Sequence, residues 1–262
     1  MIAGGFKLMY IWNEMTREEI QEMQHGLVII TIGATEQHGP HLPVVTDNLI
    51  VEAIAKESVK KSSTSIPIIL GPNIPFGFSH HHYLYAGAIS LSIQTLLIVL
   101  KEVMNSLIKS GFNKIFILNS HGGNDEIIRL TAKEVAYESG VNIGAASYWT
   151  LAKGALSTYR INHQLYEVGH AGQFETSLIL AIEPELVKLG QLNQDKTDRK
   201  VIDLTFAEVV RMKSKSIWQE IDGYSDEPLK AQKQMGEELL SLISDKVSEE
   251  FIEFYRDITM HG

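Results

Sequence analysis

Short apolar runs recur along the chain and alternate with segments of helical periodicity. The runs are rich in β-branched residues and cover residues 27–32, 66–70, 114–119 and 141–147. Continuous apolar character over so short a length is typical of strands that are buried on both faces, as in a parallel sheet. The pattern therefore predicts four buried strands.

Apolar residues spaced three and four positions apart predict amphipathic helices around these strands. The predicted helices cover residues 47–60, 92–110, 124–139 and about 229–255. Ser92 is a suitable N-cap, and Gly111 and Gly140 are suitable stops for the second and third helices. The polar segment 191–227 has no clear periodicity, so its structure stays open; it either supplies subunit contacts or covers a pocket.

Regular alternation of strands and helices predicts an α/β fold, with a parallel sheet and right-handed crossovers. No repeat or low-complexity linker divides the chain. We therefore expect one domain over residues 1–262.

Composition narrows the classes of function. The formal net charge is −9, which argues against nucleic-acid binding through a broad basic surface. The absence of cysteine excludes disulfides, thiolate metal sites and a cysteine nucleophile. The first residues lack a basic segment followed by an apolar core, so we expect no signal peptide, and no apolar run approaches the roughly 20 residues that span a bilayer. We expect a soluble, cytoplasmic protein that has no membrane partner.

The first polar cluster, "GATEQHGPHLPVVTD" (33–47), follows the first strand. Alternate side chains of an extended segment share a face, so Glu36 and His38 are expected to point the same way. Asp47 opens the next helix, where its alternative role is an ordinary helix cap. Because ligands bind outside the carboxyl ends of parallel strands, this cluster is a candidate site.

The second cluster, "NSHGGND" (119–125), follows the third strand and has two interpretations. In one, Gly122 and Gly123 let backbone N–H groups hold a phosphate at a helix N-terminus. In the other, the glycines make room for His121 as a metal ligand, while Asn124 caps the helix or touches substrate.

The third cluster, "GHAGQFETS" (169–177), contains His170 and Glu175 at the start of an apolar helix. A glutamate there either interacts with the helix dipole or faces the same crevice as the other clusters. Imidazole and carboxylate groups together suit zinc, manganese or iron(II). Three adjacent histidines, 80–82, cannot all point one way, and we expect at most one of them to contribute.

These three clusters resemble the signature blocks of the creatininase (creatinine amidohydrolase) family, and "GFSHHHYLYAGAISLS" (77–92) resembles a fourth block. The order and spacing agree from about residue 10 to 190. The resemblance implies a three-layer α/β sandwich with a mostly parallel sheet. It also implies two divalent metal ions per chain, zinc and/or manganese with iron as an alternative, and a homo-oligomer, usually a hexamer.

The resemblance also implies roles for individual residues. The positions that match the family's metal ligands are Glu36, His38, Asp47, His121 and Glu175, with Asp47 bridging the two ions. His170 matches a histidine that handles protons, and Glu175 is the alternative proton donor. The substrate-binding candidates are Ser79, His82, Asn124 and Trp149. The chain departs from the family pattern at three places. Gly123 stands where creatininase has a metal-binding glutamate. Residues 86–88 are Ala-Gly-Ala in place of Pro-Gly-Thr, and His81 replaces an acidic residue.

The function predicted is hydrolysis of a C–N bond, in a cyclic amide or a formamide of a small polar compound, by water that the metals activate. No protein nucleophile is needed, in agreement with the absence of cysteine and of a G-x-S-x-G motif. The alternatives are a formamide hydrolase for a pyrimidine nucleotide precursor and a C–C hydrolase for a cyclic diketone. Two non-catalytic alternatives are a phosphate-ligand binding module and a structural metal protein.

Overall fold

A parallel sheet forms the centre of the molecule. The structure is a computed structural model that describes residues 9–163, 165, 168–192 and 216–261. Within these ranges the sheet has five strands in the order β1-β3-β2-β4-β5, and every pairing is parallel. The strands are β1 (Tyr10–Ile11), β2 (Leu27–Ile32), β3 (Ile68–Ile74), β4 (Lys114–Asn119) and β5 (Asn142–Ser147). The mostly parallel sheet predicted from the sequence is confirmed.

Two details of the sheet differ from the prediction. The two-residue β1 pairs with β3 at one edge and is too short to leave a periodic signal. Strand β3 continues to Ile74 through Gly71 and Pro72, where the sequence prediction ended the strand. Its pairing with β2 shifts between Ile29 and Thr31, so the Gly-Pro pair lies in a bulge, where a proline does not interrupt the ladder.

Helices cover both faces of the sheet. They are α1 (Arg17–Glu22), α2 (Thr46–Ser62), α3 (Ile93–Lys109), α4 (Asp125–Ser139), α5 (Tyr148–Leu151), α6 (Lys153–His163), α7 (Gln173–Ile182), α8 (Ser216–Glu220) and α9 (Lys233–His261). Side chains of β2 alternate between two apolar cores: Leu27 and Ile29 lie in one, Val28 and Ile30 in the other. The first core holds residues of α2, α5, α6, α7 and α9, and the second those of α3 and α4. The three-layer arrangement is therefore confirmed.

The ends of the helices follow the predicted signals only in part. Ser92 caps α3 by accepting a hydrogen bond from the Thr95 N–H at 3.2 Å, and Gly111 and Gly140 adopt positive φ after α3 and α4. Asp47 does not cap α2, since it lies inside the first turn and Val45 is the cap residue. The Asp47 carboxylate is therefore available to the candidate site.

The region after residue 191 is described only in part. Residues 193–215 lie outside the described residues, whereas 216–227 contain α8 and the loop after it. The predicted C-terminal helix is present as α9 and runs further than expected. None of the described helices combines the length and apolar character needed to cross a bilayer.

Candidate metal centre

Five side chains predicted to bind metal meet at the carboxyl edge of the sheet. Glu36 and His38 lie on the loop after β2, and His121 lies directly beyond β4. Asp47 and Glu175 come from the first turns of α2 and α7. Each of the five residues is at most 5% exposed. A parallel sheet brings these distant segments together because its strands all end at the same edge.

Asp47 lies between two groups of these side chains. Its Oδ1 is 3.4 Å from His38 Nε2, and that nitrogen is 3.8 Å from Glu175 Oε2. Its Oδ2 is 3.3 Å from His121 Nδ1, and that nitrogen is 3.4 Å from Glu36 Oε1. The two carboxylate oxygens thus face opposite groups, an arrangement suited to a bridging ligand.

Several buried atoms of this cluster have no hydrogen-bond partner among the described residues. They are both carboxylate oxygens of Glu36, His38 Nε2 and Asp47 Oδ2. Leaving buried polar atoms unpaired costs folding free energy, and native proteins rarely do so without a functional reason. Carboxylate oxygens and imidazole nitrogens are ligands for zinc, manganese and iron(II). The residues present therefore fit a divalent metal ion.

Backbone carbonyls orient the two histidine rings. His38 Nδ1 lies 3.2 Å from the Glu36 carbonyl oxygen, and His121 Nε2 lies 3.0 Å from the Phe78 carbonyl oxygen. A carbonyl oxygen only accepts hydrogen bonds, so each of these nitrogens carries the ring proton. In the neutral rings, His38 Nε2 and His121 Nδ1 are left to present lone pairs to the centre, as metal-binding histidines do.

The acidic side chains dominate the electrostatics of the centre. Burial lowers the pKa of His38, but Asp47 and Glu175 outweigh it and raise the pKa to about 10. Burial likewise opposes protonation of His121, but Glu36 and Asp47 raise its pKa to about 9. Positive charge is therefore favourable between these carboxylates, and a divalent cation supplies it by displacing protons.

His82 and His170 complete the inner cluster. His82 Nε2 is 3.2 Å and His170 Nδ1 is 3.6 Å from Glu36 Oε1, and the two rings stack with centroids 4.5 Å apart. Burial and the neighbouring His38 and His82 lower the pKa of His170, so this ring is neutral. Both rings thus lie beside Glu36, and the proton-handling role of His170 and the substrate-binding role of His82 stay predictions.

Gln37 orients these two rings, a contact that the sequence did not reveal. Its Oε1 accepts a hydrogen bond from the Gly39 N–H at 2.8 Å, so its Nε2 donates. That nitrogen is 2.9 Å from His82 Nδ1 and donates to it, whereas His170 Nε2 donates to the Gln37 backbone carbonyl oxygen at 2.8 Å. Because His82 Nδ1 accepts from Gln37, His82 Nε2 carries a ring proton; it lies 3.2 Å from Glu36 Oε1 without forming a hydrogen bond to it.

The other predicted substrate-binding residues occupy different places. Ser79 is buried, with its Oγ 3.4 Å from His121 Nε2. Asn124 is buried in the framework: it donates to the Gly33 carbonyl and to Asn119 Oδ1, and accepts from the Phe78 N–H. It makes no side-chain cap to α4. Trp149 packs edge-on against Tyr148 in the first apolar core.

The glycines at 122–123 do not form an open phosphate cradle. A Cβ added to Gly123 would lie 2.3 Å from the Phe78 carbonyl oxygen and 2.6 Å from His121 Nε2. The missing side chain therefore makes room for the hydrogen bond that orients His121. A carbonyl oxygen at this position is also unfavourable for an anion.

His81 and Trp218 form an aromatic wall beside the centre. The His81 ring is parallel to that of His121, with centroids 5.8 Å apart, and burial lowers its pKa to about 3. The Trp218 ring lies 4.3 Å from that of His82 and 4.9 Å from that of His170. Two of the three adjacent histidines, His81 and His82, thus have their rings beside the centre. Trp218 belongs to the segment that was predicted either to contact a subunit or to cover a pocket.

Comparison with known proteins gives a family match over most of the chain. Residues 13–251 match the creatinine amidohydrolase family, Creatininase. A mycofactocin precursor peptide peptidase of Mycobacterium ulcerans (strain Agy99) is 31% identical over 171 residues, which are 63% of this chain. The chain spans only 62% of the length of that relative. Creatinine amidohydrolase of Pseudomonas putida is 28% identical over 185 residues, 63% of this chain and 68% of that protein.

A third relative matches over more of its own length. The 2-amino-5-formylamino-6-ribosylaminopyrimidin-4(3H)-one 5'-monophosphate deformylase of Methanococcus maripaludis (strain C5 / ATCC BAA-1333) is 27% identical over 213 residues. The alignment covers 72% of this chain and 93% of the deformylase. Among solved structures, a manganese form of creatininase has a TM-score of 0.77 at 22% identity, covering 94% of this chain and 98% of the other. This likeness supports the fold.

Proposed function

We propose that this chain, which belongs to the creatininase family, is a metal-dependent hydrolase that cleaves a C–N bond in a small polar compound. The observation that carries the proposal is the set of buried, unpaired carboxylate and imidazole atoms around Asp47. The side chains that would hold two divalent ions, zinc and/or manganese with iron as the alternative, are Glu36, His38, Asp47, His121 and Glu175.

The metals, when bound, would polarise a substrate carbonyl and lower the pKa of a water molecule. The side chains of the protein would orient the metal ligands and move protons. Asp47 would set the separation of the two ligand groups, and the backbone carbonyls keep the rings of His38 and His121 in their binding orientation. The attacking water loses a proton and the leaving nitrogen needs one, so neutral His170, or Glu175, would take the proton from the water and pass it to the nitrogen.

The burial of the centre favours a compact substrate. Glu36 and His38 are fully buried, and the rings of His82, His170 and Trp218 lie against one another on one side. A cyclic amide or a formamide presents its reactive carbonyl in a small volume. The relation to a deformylase favours a formamide of a pyrimidine nucleotide precursor within this class. A cyclic diketone is the carbon–carbon alternative, since water attacks a carbonyl in both reactions.

Cleavage of a peptide bond is the second candidate function. The relation to a mycofactocin precursor peptide peptidase favours it. With so little of the centre exposed, a peptide would have to enter by one end. We therefore expect cleavage near a terminus if the substrate is a peptide.

Metal analysis followed by a substrate screen tests the proposal. Protein from cells grown with added zinc or manganese is expected to contain two equivalents of metal per chain. A panel of lactams, formamides and short peptides then identifies the class of bond, and chelation followed by restored metal should abolish and recover turnover. Fewer than one metal per chain, or ligand binding that a chelator leaves unchanged, would contradict a catalytic metal centre.

A further inference from the structure

The loop that joins His170 to α7 is held in a strained conformation. Ala171 adopts a positive φ of 51°, which costs a residue with a Cβ about 1 kcal/mol or more. The same loop orients Glu175, whose Oε2 accepts a hydrogen bond from the Ala171 N–H at 2.5 Å. The position of a predicted metal ligand thus depends on the conformation of this loop.

Asp226 binds the start of α7 from a distant part of the chain. Its Oδ1 accepts hydrogen bonds from the Gln173 N–H at 2.6 Å and from the Glu227 N–H at 2.8 Å. Gln173 is the first residue of α7, so its N–H has no acceptor within the helix, and the cap residue Gly172 has no side chain to cap the first turn. A carboxylate at this end also interacts favourably with the helix dipole. Asp226 therefore replaces the missing cap.

Ser225 extends the contact to His170. The Ser225 N–H donates to the His170 carbonyl at 2.8 Å, and the His170 N–H donates to Ser225 Oγ at 3.0 Å. That hydroxyl in turn donates to Asp226 Oδ2 at 2.8 Å. The backbone of His170 is thus joined to α7 through Ser225 and Asp226.

Two glycines leave room for this pair. A Cβ added to Gly172 would lie 1.9 Å from Asp226 Oδ2, and one added to Gly169 would lie 2.3 Å from Ser225 Oγ. Ser225 and Asp226 are themselves at most 6% exposed. The loop and the pair therefore fit closely, with no space for either to shift alone.

We propose that Asp226 is a positioning residue of the metal centre, acting on His170 and Glu175 through the backbone of the loop between them. This inference rests on the proposed metal-binding function. Asp226 itself contacts Gln173, Ser225 and Glu227, so its effect is indirect. Residues that orient ligands in this way typically contribute about 10- to 100-fold to metal affinity.

Zinc affinity of the full chain, measured by competition with a chromophoric chelator, tests this role. Asp226→Ala is expected to weaken zinc binding about 10- to 100-fold. Asp226→Asn keeps an oxygen acceptor for the Gln173 N–H and should recover most of the affinity. The matched control is Ser92→Ala, which removes the cap of α3 on the other face of the sheet. It should lower thermal stability and leave zinc affinity unchanged.

The rate of amide hydrogen exchange in the metal-free protein is a second measurement that tests the role of Asp226. Faster exchange of the amides of 170–175 in Asp226→Ala, and not in Ser92→Ala, would support the role. If Asp226→Ala does not fold, Ser225→Ala serves instead and should weaken zinc binding several-fold. Wild-type zinc affinity in the Asp226 and Ser225 variants, or an equal loss in Ser92→Ala, would overturn the inference. A wild-type chain that binds no zinc would instead overturn the proposed function on which it rests.

Discussion

Two buried polar regions lie side by side at the carboxyl edge of the sheet, and they differ in how their atoms are paired. In the amide framework, Asn124 donates to two acceptors and accepts from one backbone N–H. In the metal centre, oxygens of Glu36 and Asp47 have no hydrogen-bond partner among the described residues. Fully paired groups such as Asn124 support the fold, whereas the unpaired oxygens of Glu36 and Asp47 are suited to binding a ligand.

The amide framework extends to the next loop. Asn48 donates to the Ala34 carbonyl at 2.8 Å and accepts from Asn73 Nδ2 at 2.9 Å. These side chains are neutral, so the framework needs neither a counter-charge nor a cation. It supports the loops from which the charged groups project. Substitutions in the amide framework should therefore act on stability, whereas substitutions in the metal centre should also lower zinc affinity.

The largest effect is expected from Asp47→Ala. Because the carboxylate lies between both ligand groups, its loss should lower zinc affinity and turnover by more than about 100-fold, beyond the effect of a residue that only orients ligands. The unfolding free energy of the metal-free protein should fall by about 3 kcal/mol, since the substitution leaves His38 and His121 without the carboxylate that faces them. Zinc titration and urea unfolding check the two parts.

Thermal melting provides the control for this variant. Excess zinc at about 1,000 times the wild-type Kd should stabilise the wild-type chain by about 4 kcal/mol per site and Asp47→Ala by less than about 1.4 kcal/mol per site. Wild-type turnover with two tightly bound ions in the variant would show that Asp47 does not bridge.

The second largest effect should come from Asn124→Ala, and it concerns stability. The substitution leaves the Gly33 carbonyl and the Phe78 N–H without their buried partner, which costs about 3 kcal/mol. Urea unfolding of the metal-free protein measures this loss. Asn142→Ala, an exposed position at the start of β5, should cost less than about 0.5 kcal/mol. Equal stability of the two variants would refute a structural role for the amide.

The smallest effect is expected from Gly123→Ala, which tests the boundary between the two regions. The new Cβ would displace the Phe78 carbonyl from His121 Nε2 and should weaken zinc binding about 10-fold. Gly154→Ala is the control, since its Cβ meets no atom within 4 Å and alanine favours the helix. The control should gain up to about 1 kcal/mol in stability with unchanged affinity. Tight zinc binding by Gly123→Ala would show that the ring does not need this carbonyl.

Local patterns predicted the parts of the fold that depend on local sequence. Strands β2 and β4 agree with the apolar runs residue by residue, because burial on both faces leaves a continuous signal. Strand β3 was cut short because Gly71 and Pro72 are poor strand residues, and only pairing with two neighbours shows that a bulge accommodates them. Each of the five predicted metal ligands either follows a predicted strand or begins a predicted helix. They meet because these positions all lie at the carboxyl edge of the sheet.

The residues that the sequence did not reveal act through contacts between distant segments. Gln37 orients the His82 ring through its side-chain amide and the His170 ring through its backbone carbonyl, and both contacts form only in the folded chain. Trp218 and Asp226 lie in a segment without periodicity, and Asp226 meets its partner Gln173 only through tertiary packing. In the sequence, Asp226 stands out only as the aspartate of "SDEP", and Trp218 only as the single tryptophan of the polar segment 191–227. Neither feature indicates which residue it contacts.

Strand β2 is the middle strand, paired on both sides, and the loop after it carries Glu36 and His38. Sheets fray from their edges, where the short β1 and the outer β5 each have one neighbour. Such breathing would leave the loop after β2 in place, because releasing it requires the separation of two interstrand ladders. The chain thus keeps its reactive groups on the part of the sheet that opens last.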